Sequence, residues 1–283
     1  MMKDSHWDYV YCYPNSSVLE NKLNITDEKE LYEAEREITT SKIYILQEHF
    51  VKGNFDLKHL QAIHKFIFCD IYKWAGKLRT VNISKGEMFY RFDYIEQAAA
   101  DLFNKLKNDN YLMGLSTEEI VKKISFYFGE INVLHPFREG NGRTQRVFIE
   151  YLAKAAGYDV DFSPISKNEM INASIRAFDC DYLPMEEMFS KILTPIPFSQ
   201  QYSFVQSITS KNSAVMKAFI DYACVFRQAD QQQFESLKKA GITFHCVKKD
   251  KAIYIRCSVR DKEMVDNILS QPQKRNNHRG IRL

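Results

Sequence analysis

The sequence predicts a mostly α-helical protein, an all-helical core carrying one β-hairpin, followed by a small α+β unit. Three observations carry that expectation. Helix caps and apolar residues at three-and-four spacing run through most of residues 1–195. One stretch among them, RTVNISKGEMFYRF, instead places β-branched and aromatic residues around Lys85-Gly86. The charge also changes sign along the chain: residues 196–283 hold 15 Lys and Arg against 7 Asp and Glu, a net of +8, whereas residues 1–195 hold 24 against 29, a net of −5. Pro195 and Pro197 in TPIPFSQ mark the seam, giving a core over 1–194, a linker over 195–210, an α+β unit over 211–270 and a basic tail, 271–283.

In chain order, acidic residues behind Thr26 suit the N-terminus of a helix through DEKELYEAEREITTSKIYILQEHF. Leu60, Ile63, Ile67 and Ile71 then repeat as the buried stripe of a second helix. The hairpin follows, over 79–92. Alone among helices it has open backbone edges, which either take an extended peptide by strand addition or merely cover a neighbouring helix. Ser116 with Glu119 and Ser166 with Glu169 form two capping boxes, each opening a helical run, and Gly157 closes VFIEYLAKAA. Beyond the seam, two helical stretches precede strands in GITFHCVKK and AIYIRCSV, and DKEMVDNIL is helical again.

A composition of 45% hydrophobic, 13% aromatic and 27% charged residues excludes a disordered or collagen-like chain. No run approaches the roughly 18–20 apolar residues of a membrane helix, and the opening MMKDSHWDYVYCYP lacks the pattern of a signal peptide. The expectation is a cytoplasmic protein, compatible with export as an effector by another route and with no membrane partner. Six cysteines lie scattered without CxxC or Cys/His clusters, so neither zinc nor a disulfide framework is expected, only buried thiols. His49, His59, His64 and His245 show no metal-ligand spacing and read as structural or surface residues.

The chemistry concentrates in HPFREGNGRTQR, residues 135–146. Pro136 biases His135 away from helical geometry, so the helix before it ends there. Gly140-Asn141-Gly142 can turn tightly with its N–H groups outward, and the helical pattern then resumes: a site for phosphate oxygens. Arg143 and Arg146 leave one face of that first turn and can clamp further phosphates. Glu139 offers the hard oxygen that Mg²⁺ prefers when it also bridges a nucleotide's phosphates. His135 can take a proton near neutral pH. Together these are the parts of phosphoryl or nucleotidyl transfer. A competing reading has Asn141, Arg143, Gln145 and Arg146 contacting DNA bases, against which stands the net acidity of residues 1–195.

This segment resembles the Fic-domain signature HPFx(D/E)GNGRxxR at every specified position. The resemblance extends over about residues 8–194, through the opening YCYPNSSVLENKLNI and the helix-to-hairpin junction IYKWAGKLRTVNISKG. It implies a helical core that transfers AMP from ATP to a Tyr, Ser or Thr hydroxyl of a target protein. His135 would be the general base, with Asn141 and Arg143 beside it in catalysis, and Glu139 the Mg²⁺ ligand. Gly140, Asn141 and Gly142 would be the nest for the α- and β-phosphates, with Arg143 and Arg146 on the β- and γ-phosphates. Thr80, Val81, Asn82, Ile83 and Ser84 would form the flap that holds the target by strand addition.

Ser16 and Glu20 in SSVLEN also match the family's inhibitory pattern (S/T)xxxE(G/N), implying self-inhibition by Glu20 on Arg146, or else restraint by a separate small antitoxin. The leading expectation is a protein adenylyltransferase, as a toxin of a toxin–antitoxin pair or an effector. The alternatives are phosphotransfer or another nucleotidyl transfer at the same site, and an inert adaptor whose basic C-terminal unit binds nucleic acid or protein.

Overall fold

The computed structural model describes residues 10–85, 87–249 and 252–271. Asp27, one residue after the expected Thr26, caps α1 (Glu28–Ile45) by accepting from Glu30 N at 2.8 Å. Asp56 caps α2 (Leu57–Phe68), which buries Leu60, Ile63 and Ile67 as anticipated; Ile71, expected on the same stripe, is buried in the turn beyond the helix end. The hairpin of β1 (Ser84–Lys85) and β2 (Glu87–Met88) leads into α3 (Ile95–Asn108). The reciprocal capping box of Ser116 and Glu119 opens α4 (Thr117–Leu134). Gly140 precedes α5 (Asn141–Ala156), which Gly157 closes at φ 95°. Then come β3 (Tyr158–Val160), α6 (Lys167–Phe178), α7 (Leu183–Ile192) and β4 (Leu193–Pro195), which pairs antiparallel with β3; Ser166 caps α6, but the expected box is not completed, because Glu169 pairs with Lys191 at 2.9 Å instead.

Helix α5 is the axis of the body. It contacts α2, α4 and the later α8 (Phe198–Ile208), and buries Val147, Phe148, Ile149, Leu152 and Ala153 on nearly every side. A helix apolar almost all round belongs at a core centre. Each such Leu, Ile or Phe contributes about 1.5–3 kcal/mol relative to exposure. The N-terminal end of this rigid element carries Asn141, so the core itself fixes where the motif loop points.

Several expectations need correction. Residues 195–210 are not a linker: Pro197 directly precedes α8, whose Phe198, Phe204, Val205 and Ile208 are buried in the main core. That core continues through α9 (Ala214–Ala218) to Ala223, so a second core begins only near Val225, not at 211. The second unit is β5 (Cys224–Ala229), α10 (Gln231–Lys239), β6 (Phe244–Lys249), β7 (Ala252–Ser258) and α11 (Lys262–Ser270), with strand order β5-β7-β6, all antiparallel. Strand β5 lay in a stretch read as helical; its identity comes from pairing with β7, some thirty residues away in sequence.

The hairpin ladder covers 84–88, with one further bond from Phe89 N to Ile83 O, rather than 79–92, because its outer flanks bond elsewhere: Arg79 N donates to Pro136 O and Tyr90 N to Val133 O. The cysteines are not uniformly buried; Cys257 is, whereas Cys180 is exposed and the other four are intermediate. Gly86 and nearly all of the basic tail, from 272, lie outside the described residues. No helix among the described residues is long and apolar enough to cross a membrane.

Candidate active site

His135 ends α4 in the left-handed region at φ 42°, ψ 60°, as the following proline requires it to leave the helix. Left-handed backbone at a non-glycine residue is a strained feature that surrounding contacts must hold. Arg79 is the main holder. It is 2% exposed, and its Nε donates to His135 O at 2.8 Å, its other nitrogens to Val81 O and Tyr90 O. Burial pushes the Arg79 guanidinium down to about 10. Its partners are neutral carbonyls, so one side chain joins hairpin root and motif loop.

The imidazole of His135 stacks on Phe89 of the hairpin, ring centres 3.7 Å apart. Its Nδ1 lies 3.0 Å from Asn132 O, and a carbonyl partner makes that nitrogen the N–H donor. Nε2 is therefore the nitrogen carrying the lone pair. Burial, then Lys85 and Arg79, push the group down to about 3 despite the Asn132 bond, so it is neutral at pH 7.

The loop after His135 is pinned from inside. Asn141 Oδ1 accepts from Phe137 N at 2.9 Å and its Nδ2 donates to Phe137 O at 2.7 Å. The sequence had placed Asn141 in the anion nest; its side chain is committed to the loop, leaving only its main-chain N–H for a ligand. Gly140 sits at φ 80°, and a Cβ there would lie 2.2 Å from the Phe68 ring. With no side-chain cap, the first N–H groups of α5, at Asn141, Gly142 and Arg143, are left for an anion. The Gly140 N–H already donates to Glu139 Oε1 at 2.8 Å.

His64, which the sequence read as structural, fixes this loop from below. It is fully buried between Phe68 and Phe137, Nδ1 accepts from Gly76 N at 2.8 Å, and Nε2 donates to Glu139 O at 2.9 Å. Burial pushes it down to about 4.

A cavity of about 880 Å³ opens above the loop, within the about 300–1,000 Å³ of small-molecule sites. His135, Glu139, Gly142 and Arg146 form its polar wall; Phe162, Ile165, Met170, Ile175 and Phe178, from α6 and the loop before it, form an apolar wall suited to a flat ring. Lys85 and Phe89 reach in from the hairpin. Glu139 and Arg146 also border a second groove of about 670 Å³ along α1, so the two depressions meet at these residues.

Arg143 does not line the first cavity. It turns into the second groove, donating to Glu35 and, at 3.0 Å, to Thr39 Oγ1, with Phe68 beneath its guanidinium at 4.8 Å. Tyr72 OH donates to the other oxygen of Glu35. Glu35, Thr39, Tyr72, His64 and Arg79 were not singled out as functional from sequence. The signal existed for α1: Leu31, Glu35 and Thr39 form its buried stripe, and a carboxylate on a buried stripe requires a cationic or donor partner.

Glu20 lies elsewhere. Its Oε1 accepts from Lys73 Nζ at 3.2 Å, both side chains largely exposed, rather than meeting Arg146. Of the flap residues, only Ser84 is in a strand; Thr80 is anchored by Tyr11, and Asn82 Oδ1 accepts from Phe92 N at 3.1 Å. Among the described residues no group of three or more His, Cys, Asp or Glu could hold a metal alone. Glu139, a lone carboxylate 36% exposed at the cavity, fits Mg²⁺ only as a single protein ligand to an ion that a phosphate-bearing substrate also holds.

Residues 54–153 match the model of the Fic/DOC family. A probable protein adenylyltransferase of Sinorhizobium fredii is 39% identical over 176 residues, 62% of this chain and 90% of that protein. The protein adenylyltransferase VbhT of Bartonella schoenbuchensis is 36% identical over 202 residues, but this chain spans only 42% of its length. Among solved structures, BepC of Bartonella tribocorum with bound AMPPNP is similar at a TM-score of 0.63 and 32% identity, covering 65% of this chain and 96% of that one.

Proposed function

Because the chain belongs to the Fic/DOC family, we propose that it is a protein adenylyltransferase moving AMP from ATP to a Tyr, Ser or Thr hydroxyl of a target protein. The observation that carries this reading is a neutral, buried imidazole facing the same cavity as a free helix N-terminus, a carboxylate and Arg146. The names of the relatives and the ATP analogue held by BepC support it.

The base ring of the nucleotide lies against the apolar wall of α6, and the phosphates run over the N–H groups of Asn141, Gly142 and Arg143 toward Arg146. Glu139 is the residue that would hold Mg²⁺, which when bound neutralises phosphate charge. The hairpin edge takes a target segment as an added strand. The target oxygen then bonds to the α-phosphorus while the bond from that phosphorus to the bridging oxygen breaks in line. His135 Nε2 takes the hydroxyl proton, and pyrophosphate leaves. The protein's contribution is position and charge: Asn132 fixes the tautomer, Arg79 the His135 backbone and Phe89 the ring.

The placement of Glu20 on Lys73 favours a separate small antitoxin over self-inhibition as the restraint on this site. ATP labelled separately at its α- and γ-phosphates, incubated with host lysate, tests the reaction. Label retained from α alone supports AMP transfer; label retained from γ alone assigns phosphotransfer instead. His135→Ala is expected to abolish labelling while retaining nucleotide binding, and labelling at the parental rate would remove His135 from the mechanism.

A further inference from the structure

The C-terminal sheet has two unlike faces. Helices α10 and α11 cover one, burying Val225, Ile255 and Cys257 under Phe234, Leu237 and Val265, with Arg227 paired to Asp266 at 2.6 Å. Alternation along the strands sends the intervening residues to the other face, which no helix of the unit covers. The body closes only one end of it. There Cys224 packs on the main core and His245 stacks on Tyr202 of α8 at 4.8 Å.

The remainder carries a specific arrangement. Phe226 on β5 and Tyr254 on β7 stack nearly parallel, 5.7 Å apart and 12° between planes, and Phe226 is 57% exposed. Val247, 51% exposed, stands opposite Tyr254 on β6, and Arg256 stands opposite Phe226. Lys249 lies on the same face, two residues beyond Val247. Among the described residues this strand face holds no acidic side chain, and residues 196–283 carry a net of +8. A lysine is unlike the centre of a protein-docking face, from which Lys is depleted. Here Arg256 stands opposite Phe226 and Lys249 lies along the same face beyond Val247.

We propose that this open sheet face binds single-stranded nucleic acid, with bases stacked on Phe226 and Tyr254 and the backbone phosphates met by Arg256 and Lys249. Every base offers a π-face, so an exposed Phe226 and a half-buried Tyr254 on adjacent strands can receive successive unpaired bases without reading their sequence, and flanking cations follow the phosphates. A duplex keeps its bases stacked on one another and cannot use the rings. The inference is independent of the AMP-transfer site, which faces a different cavity.

The test uses the full chain and fluorescently labelled oligonucleotides of about a dozen nucleotides. Anisotropy is read with single-stranded DNA, single-stranded RNA and duplex DNA across a salt series. Both single strands are expected to bind more tightly than duplex, and a preference between them identifies which strand is the ligand. Phe226→Ala and Tyr254→Ala should each weaken binding about ten-fold or more, while Arg256→Gln with Lys249→Gln should flatten the salt dependence by about two phosphate contacts. Circular dichroism and parental AMP transfer by these surface variants exclude misfolding. Duplex bound as well as single strand, binding unchanged in both aromatic variants, or a dimer of this chain that Phe226→Ala dissociates would each overturn the proposal, the last by assigning the face to self-association.

Discussion

Replacing Glu35 by Gln tests whether the buried network behind the motif loop holds Arg143 in place. Glu35 is 8% exposed and accepts from both Tyr72 OH and Arg143. An amide has one acceptor oxygen, so it can serve one of these donors and must turn an N–H₂ group toward the other. Tyr72 can rotate its hydroxyl to accept, but a guanidinium cannot. Removing one member of a buried ion pair costs about 3–5 kcal/mol. Arg143 retains Thr39 at 3.0 Å and has Glu139 Oε1 at 3.5 Å, which lowers the expected loss to about 2–3 kcal/mol. For a body of this size that corresponds to a fall in Tm of about 4–12 °C.

Urea unfolding of Glu35→Gln, Arg143→Ala and the double variant gives the pairwise energy directly. A second consequence is chemical. Without Glu35 the guanidinium leans on Glu139, the carboxylate proposed to face the nucleotide's cation, so KM for ATP should rise more than kcat falls. A pairwise energy under about 0.5 kcal/mol would refute the clamp, whatever the kinetics show.

Acid should destabilise the protein through its buried histidines, His59, His64 and His135, all of which burial pushes below the ordinary imidazole value. His64 is held at about 4 and His135 at about 3, both below the ordinary 6.5, so the unfolded chain takes up protons first as pH falls. Their contribution is complete above about pH 6.5 and is lost progressively toward pH 4, about 3 kcal/mol for His64. In urea titrations His64→Gln should reduce the slope between pH 6 and 5 by about 1.2 kcal/mol per pH unit; an unchanged slope counts against the assignment. Gly140→Ala must push the Phe68 ring aside and hold alanine at φ 80°, so nucleotide affinity measured by calorimetry should fall about ten-fold or more. Glu20→Gly should leave self-labelling unchanged because that carboxylate rests on Lys73; a sharp rise would restore self-inhibition.

The motif was legible because its parts are contiguous: a proline that ends one helix, glycines that turn, and a capless helix start all act within twelve residues. Caps at Ser116, Ser166 and Gly157 were equally local, and so were readable. What escaped was made by distance. Arg143 meets Glu35 across 108 positions and Arg79 meets His135 across 56, and no local pattern pairs such residues. Strand β5 and the β3–β4 pair likewise depend on partners supplied by the completed fold. The seam at Pro195 and Pro197 misled for a related reason: prolines suit a linker, but Pro197 equally suits the start of a helix whose Phe and Ile face the core.

Arg79 grips both the root of the hairpin and the carbonyl of His135, so the strand edge and the imidazole cannot drift apart without breaking the same side chain's bonds. If a target segment adds to that edge as proposed, its distance from the imidazole would be set by one buried guanidinium, a built-in ruler, and the reach of the incoming residue, short for serine or threonine and long for tyrosine, would then filter targets.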